Sequence, residues 1–234
     1  MRAFIDLHCH TNGSFDSLSD PLRVVRAAAQ RGLTHLAITD HDRLDAALAV
    51  RDLAPEGLTV IVGEEIKTTA GDLIGVFLER AIPPGLSPAA AIGAVREQGG
   101  LVGIPHPFDR FRSFRAGEES LEALVPLIDW IEGYNARLIG GGNERAAVFA
   151  AHRGLPAVAA SDAHSVLEVA VSYTILDGDP STPAGLKAAL PTADMVMSRA
   201  SYLVRGLTPV AKVVQRLRGN GRAPMPPAGQ GAAR

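Results

Sequence analysis

Five of the seven histidines fall in four short fragments that also carry carboxylates or follow an apolar run. These are Asp6-Leu7-His8-Cys9-His10, Thr39-Asp40-His41-Asp42, Ile104-Pro105-His106-Pro107 and Ser161-Asp162-Ala163-His164. Imidazole and carboxylate are the side chains that bind Zn, Mn and Fe. Each fragment sits where a strand is expected to end, and strand ends are where a barrel gathers its ligands. His8 and His10 are two apart, so on an extended chain both imidazoles point to one face and can share an ion. Asp162 and His164 follow the same logic. In a closed barrel the first and last strands are neighbours, so the two pairs can meet despite their separation in sequence. The concentration implies a multinuclear metal site.

Each fragment alone is a weak signal, because short motifs of this kind recur without metal. Their recurrence at several strand ends is what carries weight, since a set of charged carboxylates near the core is costly without a cation. Glu64 and Glu65 follow another strand, and alternation lets only one face the site, where a carboxylate could bridge two ions. Asp16 lies on the first loop, where a turn or cap role is the commoner one. Asp40 is expected to orient a neighbour by hydrogen bonding instead of binding metal. Arg110, Arg112, Asn135 and Arg137 follow two further strand ends and are candidate substrate contacts, the arginine fork being suited to phosphate. A solvated or salt-bridged surface is the competing role for these four. Cys9, between two candidate ligands, should point away from them as a packing residue. His35 and His152 are expected to be ordinary.

The elements that must place these residues alternate between apolar runs and amphipathic stretches, the pattern of βα units. Strands are expected over residues 3–7, 34–39, 58–62, 73–78, 101–104, 129–132 and 157–160, with a hairpin return at Ala70-Gly71. Helices are expected over 22–30, 43–53, 88–98, 118–127 and 143–153. Asp20-Pro21 and Ser87-Pro88 mark two starts, and Thr208-Pro209 opens a last helix ending near Gly219. One domain is expected over 1–176. Prolines 180, 183 and 191 fragment the next stretch, so 177–217 reads as an extension packing on the barrel or a small module. The Gly, Pro, Ala and Arg-rich residues 218–234 are expected to be disordered.

A chain of 234 residues with 47% hydrophobic and 21% charged residues has the balance of a globular protein with a sizeable core. A net charge of −2 gives no electrostatic case for a standing nucleic-acid or membrane partner. The single cysteine excludes an internal disulfide and suits a reducing compartment. Asp6 comes too early for a signal peptide, and no apolar run spans a bilayer, so a cytoplasmic location is expected.

Taken in order, the fragments resemble the PHP family (polymerase and histidinol phosphatase domain). The matching motifs are residues 6–11, Thr39-Asp40-His41, Gly63 with Glu65-Ile66, His106-Pro107 and Ser161-Asp162-Ala163-His164. The resemblance spans roughly residues 3–176 and implies an α/β fold, a distorted (β/α)7-type barrel. It implies two or three divalent ions, commonly Mn, Zn or Fe, at the strand ends. His8, His10, Glu65 and Asp162 would hold the first, Glu65 and His106 the second, and Asp16, His41 and His164 the third. One departure stands out: Asp72 occupies a position where many members carry histidine, so it is either an oxygen ligand or the mark of a weakened second site.

The activity implied is a metal-dependent phosphoesterase acting on a small phosphomonoester or nucleotide-type phosphate. The nucleophile would be water activated by the ions that His8, His10, Glu65 and Asp162 hold. Alternatives are another hydrolase on a similar site, cleaving a cyclic nucleotide, amide or lactone, or a metal-stabilised regulatory module without turnover.

Overall fold

The computed structural model describes residues 1–109 and 118–221. The chain alternates β1 (Arg2–Asp6), α1 (Pro21–Gln30), β2 (His35–His41), α2 (Asp45–Val50), β3 (Thr59–Lys67) and β4 (Asp72–Val76). It continues through α3 (Pro88–Arg96), β5 (Leu101–Ile104), α4 (Glu118–Glu122), β6 (Trp130–Asn135), α5 (Gly142–Arg153) and β7 (Ala157–Ala160). The last elements are β8 (Tyr173–Asp177), α6 (Pro183–Ala189), β9 (Asp194–Val196), α7 (Tyr202–Arg205) and α8 (Leu207–Leu217).

Several helix starts follow directly from local chemistry. Asp20, Ser87 and Thr182 each accept a backbone N–H three residues on, and each is followed by a proline that needs no partner for its nitrogen. The expected helices over 43–53 and 118–127 are shorter. Each gives way to a 3-10 turn, Arg51–Leu53 and Val125–Leu127, and in the second Pro126 lacks the N–H that an α-helix would need.

Nine strands form one sheet in the order β7-β6-β5-β4-β3-β2-β1-β8-β9. β4 is antiparallel to both neighbours, the hairpin expected at Ala70-Gly71. The sheet curls until its ends nearly meet. Cys9 bridges Ala163 in parallel, with Asp162 N–H donating to the His8 carbonyl at 2.9 Å and His10 N–H to that of Ala163 at 2.8 Å. The result is a nearly closed, distorted α/β barrel of nine strands.

Strand alternation splits the core into two layers. Leu36, Ile38, Val60, Val62 and Ile66 face the helices, together with Cys9. Ala37, Ile61, Ile74, Leu101 and Trp130 fill the interior as an apolar floor. Gly103 is required there, because a Cβ would come within 2.1 Å of the Trp130 ring. Continuing by twos along β2 and β3 from Ala37 and Ile61 leads to His41 and Glu65, and on β6 from Trp130 to Glu132. The floor therefore passes into polar chemistry within single strands.

The boundary expected at 176 falls inside β8, which pairs antiparallel with β1 while β9 pairs with β8. Residues 177–196 thus continue the barrel's own sheet. Residues 218–221, expected to begin a disordered tail, are held in place. Arg218 and Gly219 N–H groups take the last carbonyls of α8, and Asn220 binds the first loop. The remainder of that segment lies outside the described residues. No helix among the described residues is long and apolar enough to cross a membrane.

Candidate metal centre

Four strand-end side chains converge on one point. His8 Nε2 lies 2.9 Å from His10 Nε2 and 3.3 Å from Glu65 Oε2, and the His10 and Glu65 atoms are 3.2 Å apart. Asp162 Oδ1 lies 3.5 Å from His8 Nε2 and 3.3 Å from His10 Nε2. A tetrahedral ion with bonds of ~2.1 Å holds its ligand atoms roughly 3.4 Å apart. The separations from His8 and His10, 2.9 to 3.5 Å, are near that value.

Three of the imidazoles, His8, His10 and His164, are oriented by the nitrogen they do not present to the cluster. His8 Nδ1–H donates to Glu132 Oε1 at 2.6 Å, leaving a lone pair on Nε2. The Ser14 hydroxyl spends its proton on Asp40 Oδ1 at 2.6 Å, so its oxygen accepts His10 Nδ1–H at 2.9 Å. His164 Nδ1–H donates to the Asp162 carbonyl at 2.8 Å, directing Nε2 towards Asp16 Oδ1 at 3.3 Å. The other imidazoles extend the cluster. His106 Nε2 meets Glu65 Oε1 at 3.1 Å, while His41 places Nδ1 3.1 Å from Glu65 Oε2 and Nε2 3.6 Å from Asp16 Oδ1. Glu65 thus has one oxygen towards His106 and the other among His8, His10 and His41, the disposition of a bridging carboxylate. Its neighbour Glu64 faces away and accepts the Ile82 N–H at 2.9 Å.

Among the described residues, three overlapping groups of metal-binding atoms result: His8 with His10 and Asp162, His8 with Glu65 and His106, and His10 with His41 and His164. Asp72 joins none of them; it begins β4, paired with Lys67. The electrostatics suit cations. Burial alone would lower the pKa of His8, but Glu132, Asp162 and Glu65 hold it well above its ordinary value. Burial opposes ionisation of Glu65 and Asp16, yet the surrounding imidazoles keep both carboxyls well below theirs. His164 is pushed down to about 4, first by burial, against the pull of Asp16 and with the push of His10 and Arg137. A cation between His8 and His10 would take the place of the proton that their Nε2 atoms, 2.9 Å apart, otherwise share. Asp16 Oδ1 and His106 Nδ1 are buried without a hydrogen bond. The donor set therefore fits divalent ions.

Backbone strain is concentrated at the same place. Asp42, His106 and Asp162 have φ of 54°, 28° and 50°, costing on the order of 1–3 kcal/mol each. Asp40 holds the first loop from below, accepting Thr11 N–H and Oγ1–H at 2.7 and 2.5 Å and Ser14 N–H at 3.1 Å. Gly13 lets it approach, since a Cβ there would lie 2.6 Å from Asp40 Oδ2. Asp40 thus acts on His10 through Ser14, and not chiefly on the adjacent His41.

Two expected substrate contacts have other partners. Asn135 is buried and donates to Glu132 Oε2 at 2.8 Å and Asp162 Oδ2 at 3.3 Å, bracing a carboxylate of the cluster. Arg137 is buried and bound to Glu168 at 2.7 Å and to Thr208 Oγ1 at 2.7 Å. Its guanidinium is committed to the fold. Arg110 and Arg112 lie outside the described residues. Cys9 packs in the outer layer as expected, its thiol pushed up by burial. His35 binds Ser181 Oγ, away from the cluster.

Sequence reasoning did not assign Glu132, which also accepts the His106 N–H at 2.7 Å. The signal was present: an acid directly after Trp130-Ile131, inside an apolar strand. A cleft of about 200 Å³ opens beside His41, lined by Phe15, Arg43 and Asn220. A wider one of about 520 Å³, running from Arg51 to Val62, contains no histidine and lies apart from the cluster.

Comparison with known proteins bears on the family and the fold. An uncharacterised protein of Methanocaldococcus jannaschii is 33% identical over 175 residues, 72% of this chain and 68% of that protein. Two solved structures share the fold. A two-domain protein of Bacteroides vulgatus, described as containing a predicted PHP-like metal-dependent phosphoesterase, superposes with a TM-score of 0.71 at 20% identity. The match covers 85% of this chain and 65% of that one. The lesion-specific endonuclease of Pyrococcus furiosus gives 0.64 at 14%, over 97% and 74%. Residues 140–193 match the PHP-associated family model and residues 6–136, more than half the chain, match that of the PHP domain. The chain belongs to the PHP domain family.

Proposed function

We propose that this protein is a metal-dependent phosphoesterase that hydrolyses a small phosphomonoester or nucleotide-type phosphate. The observation that carries the reading is the approach of His8 Nε2 and His10 Nε2 to each other and to both Glu65 and Asp162, all at 2.9 to 3.5 Å, with His106, His41, His164 and Asp16 extending it. Two or three divalent ions of the Mn, Zn or Fe type would be held there. When bound, such ions lower the pKa of water towards neutrality and offset charge on phosphoryl oxygens.

The chain's own residues supply the rest. Glu132 and Ser14 fix the tautomers of His8 and His10, so both present lone pairs to the cluster. Asn135 holds one oxygen of Asp162 and leaves the other turned inward. Glu65 and Asp16 remain ionised despite burial and keep the site's affinity for cations high. The 200 Å³ cleft gives a phosphate a path to His41, with Arg43 at its rim. Neither a cysteine nor a serine nucleophile is required.

The test is hydrolysis of matched chromogenic phosphomonoester, phosphodiester, amide and lactone substrates with Mn, Zn or Fe, paired with elemental analysis. Activity is expected on the phosphomonoester, lost with chelator and in His10→Ala. Full activity of His10→Ala, or preference for the amide or lactone, would sink this reading. Ion binding with no turnover on any substrate would favour the regulatory-module alternative.

A further inference from the structure

Helix α8 is packed the wrong way round for an ordinary amphipathic helix. Val210, Val213 and Leu217 are exposed, while the residues it buries are Ala211 and Gln215, one turn apart. A small residue and a polar amide provide little hydrophobic anchorage. What the inward face provides instead is a donor. Gln215 is 2% exposed, and its Nε2 shares two N–H donors among the carbonyls of Asn12, Ser14 and Ser17, which lie 2.8, 3.0 and 2.7 Å away. Just past the helix, Asn220 Nδ2 reaches the carbonyls of Asn12 and Gly13 at 3.2 and 3.0 Å.

These carbonyls belong to the loop that carries Ser14 and Asp16. Asp40 grips that loop by its N–H groups, and Gln215 grips it by its carbonyls, more than 190 residues away in sequence. Ser17 Oγ ties the same loop to the His164 carbonyl at 2.9 Å. A second tether runs through Thr208, which accepts from Arg137, and Arg137 pairs with Glu168, whose Oε2 accepts the His164 N–H at 3.1 Å. Both contacts of the C-terminal segment thus reach the part of the cluster formed by Asp16 and His164.

We propose that Gln215 is a positioning residue of the metal centre: by clamping the carbonyls of the first loop, α8 holds Asp16 at the distance from His41 and His164 that a shared ion needs. The ion concerned is the one Asp16 serves; the shell of His8, His10, Glu65 and Asp162 stands on strand ends, and its link to this loop, the Ser14 hydroxyl on His10, is held separately by Asp40. The proposal rests on the reading of this cluster as a metal centre.

The experiment is Mn and Zn titration of the full chain, reading ion count and affinity in wild type, Gln215→Leu, Asp16→Asn and the double variant. Leu has nearly the volume of Gln and removes its polar amide, the N–H donors included. Gln215→Leu is expected to weaken one ion by about tenfold or more, within the 10–100-fold that loss of a supporting contact costs. The others should bind as before. Asp16→Asn should weaken the same ion, and the double variant should lose no more than Asp16→Asn alone. Additive losses, equal weakening of all ions, or unchanged affinity with only a lowered Tm would overturn the role. If Gln215→Leu fails to fold, Asn220→Ala takes its place and should weaken the same ion by a smaller factor. A wild-type chain that binds no ions would defeat the metal-centre reading itself, whereas normal wild-type loading with an unaltered variant defeats only the role of Gln215.

Discussion

Two buried glutamates stand side by side on β3 and are driven in opposite directions. Glu65, on the inner face, is held well below its ordinary pKa by His41, His8, His10 and His106, against the effect of burial. Glu64, on the outer face under the loop at Ile82, is pushed up to about 8 by burial, with one hydrogen bond from Ile82 N–H to restrain it. The residue type and strand are shared, and both are buried. What differs is whether the facing wall supplies positive charge. Buried acids are therefore not equivalent signals of function: those the fold keeps ionised mark the site.

The sharpest break of this comparison is to neutralise the inner carboxylate. Glu65→Gln removes the charge of the carboxylate that, among the described residues, faces His8, His10, His41 and His106 together. Phosphomonoester hydrolysis is expected to fall on the order of 10³-fold in kcat/KM, the upper range for loss of one preorganised electrostatic group. Retention of more than a tenth of wild-type activity would show that Glu65 is a bystander like Glu64.

The next test asks whether acids that do not join the cluster, Glu132 on the inner face and Asp40 on the outer, still serve it. Glu132 orients His8 directly, and Asp40 orients His10 through Ser14. Glu132→Gln and Asp40→Asn should each weaken ion binding by about 10–100-fold, measured by competition with a chromogenic chelator. Glu132→Gln keeps an oxygen and adds donors where His8 needs an acceptor, so the His8 tautomer is what it disturbs. Asp40→Asn also releases Thr11 and Ser14, and its effect should reach the Asp16 loop. Equal ion affinity in wild type and both variants would confine function to the atoms that touch metal.

The inner face was largely legible in the sequence because its ligands come from strand ends, where spacing by twos maps directly onto direction. His8 and His10 could be paired on that rule, and barrel closure brings Asp162 to them; Asp162 and His164, expected to pair in the same way, fall in different ligand groups, since Asp162 has a φ of 50° and the chain there is not extended. Glu65 could be separated from Glu64 only as one of two, since alternation does not state which parity faces inward. What sequence could not show is long-range hydrogen bonding. Asn135 and Arg137 looked like phosphate contacts because loop amides and guanidiniums often are; their partners, Asp162, Glu168 and Thr208, are 27 to 71 residues away. Gln215 left no local trace. Its meaning depends on three carbonyls at the other end of the chain. Asp72 departs from the resemblance as the sequence indicated, and at the start of β4 it lies outside the three ligand groups, one of which is His8, Glu65 and His106.

The outer glutamate gives the smallest effect and the cleanest sign. The ordinary carboxyl value for Glu64 is 4.5, and in the fold it rises to about 8. Between those values the folded chain holds a proton that the unfolded chain has released, so stability falls as pH rises. Below pH 4.5 both states are protonated, and above about 8 both are ionised, so the penalty accumulates only within that window. Its slope is at most ~1.4 kcal/mol per pH unit. Glu64→Gln keeps an oxygen for the Ile82 N–H and cannot ionise, so it should gain on wild type steadily from pH 5 to 8 in denaturant unfolding. The comparison belongs in chelator, because metal release carries a pH dependence of its own. The absolute stability of the variant is less telling than the slope, since a buried amide brings N–H groups that need partners. A constant gap between variant and wild type across that range would mean that Glu64 ionises as an ordinary carboxylate, and the two faces of β3 would no longer differ in the way proposed.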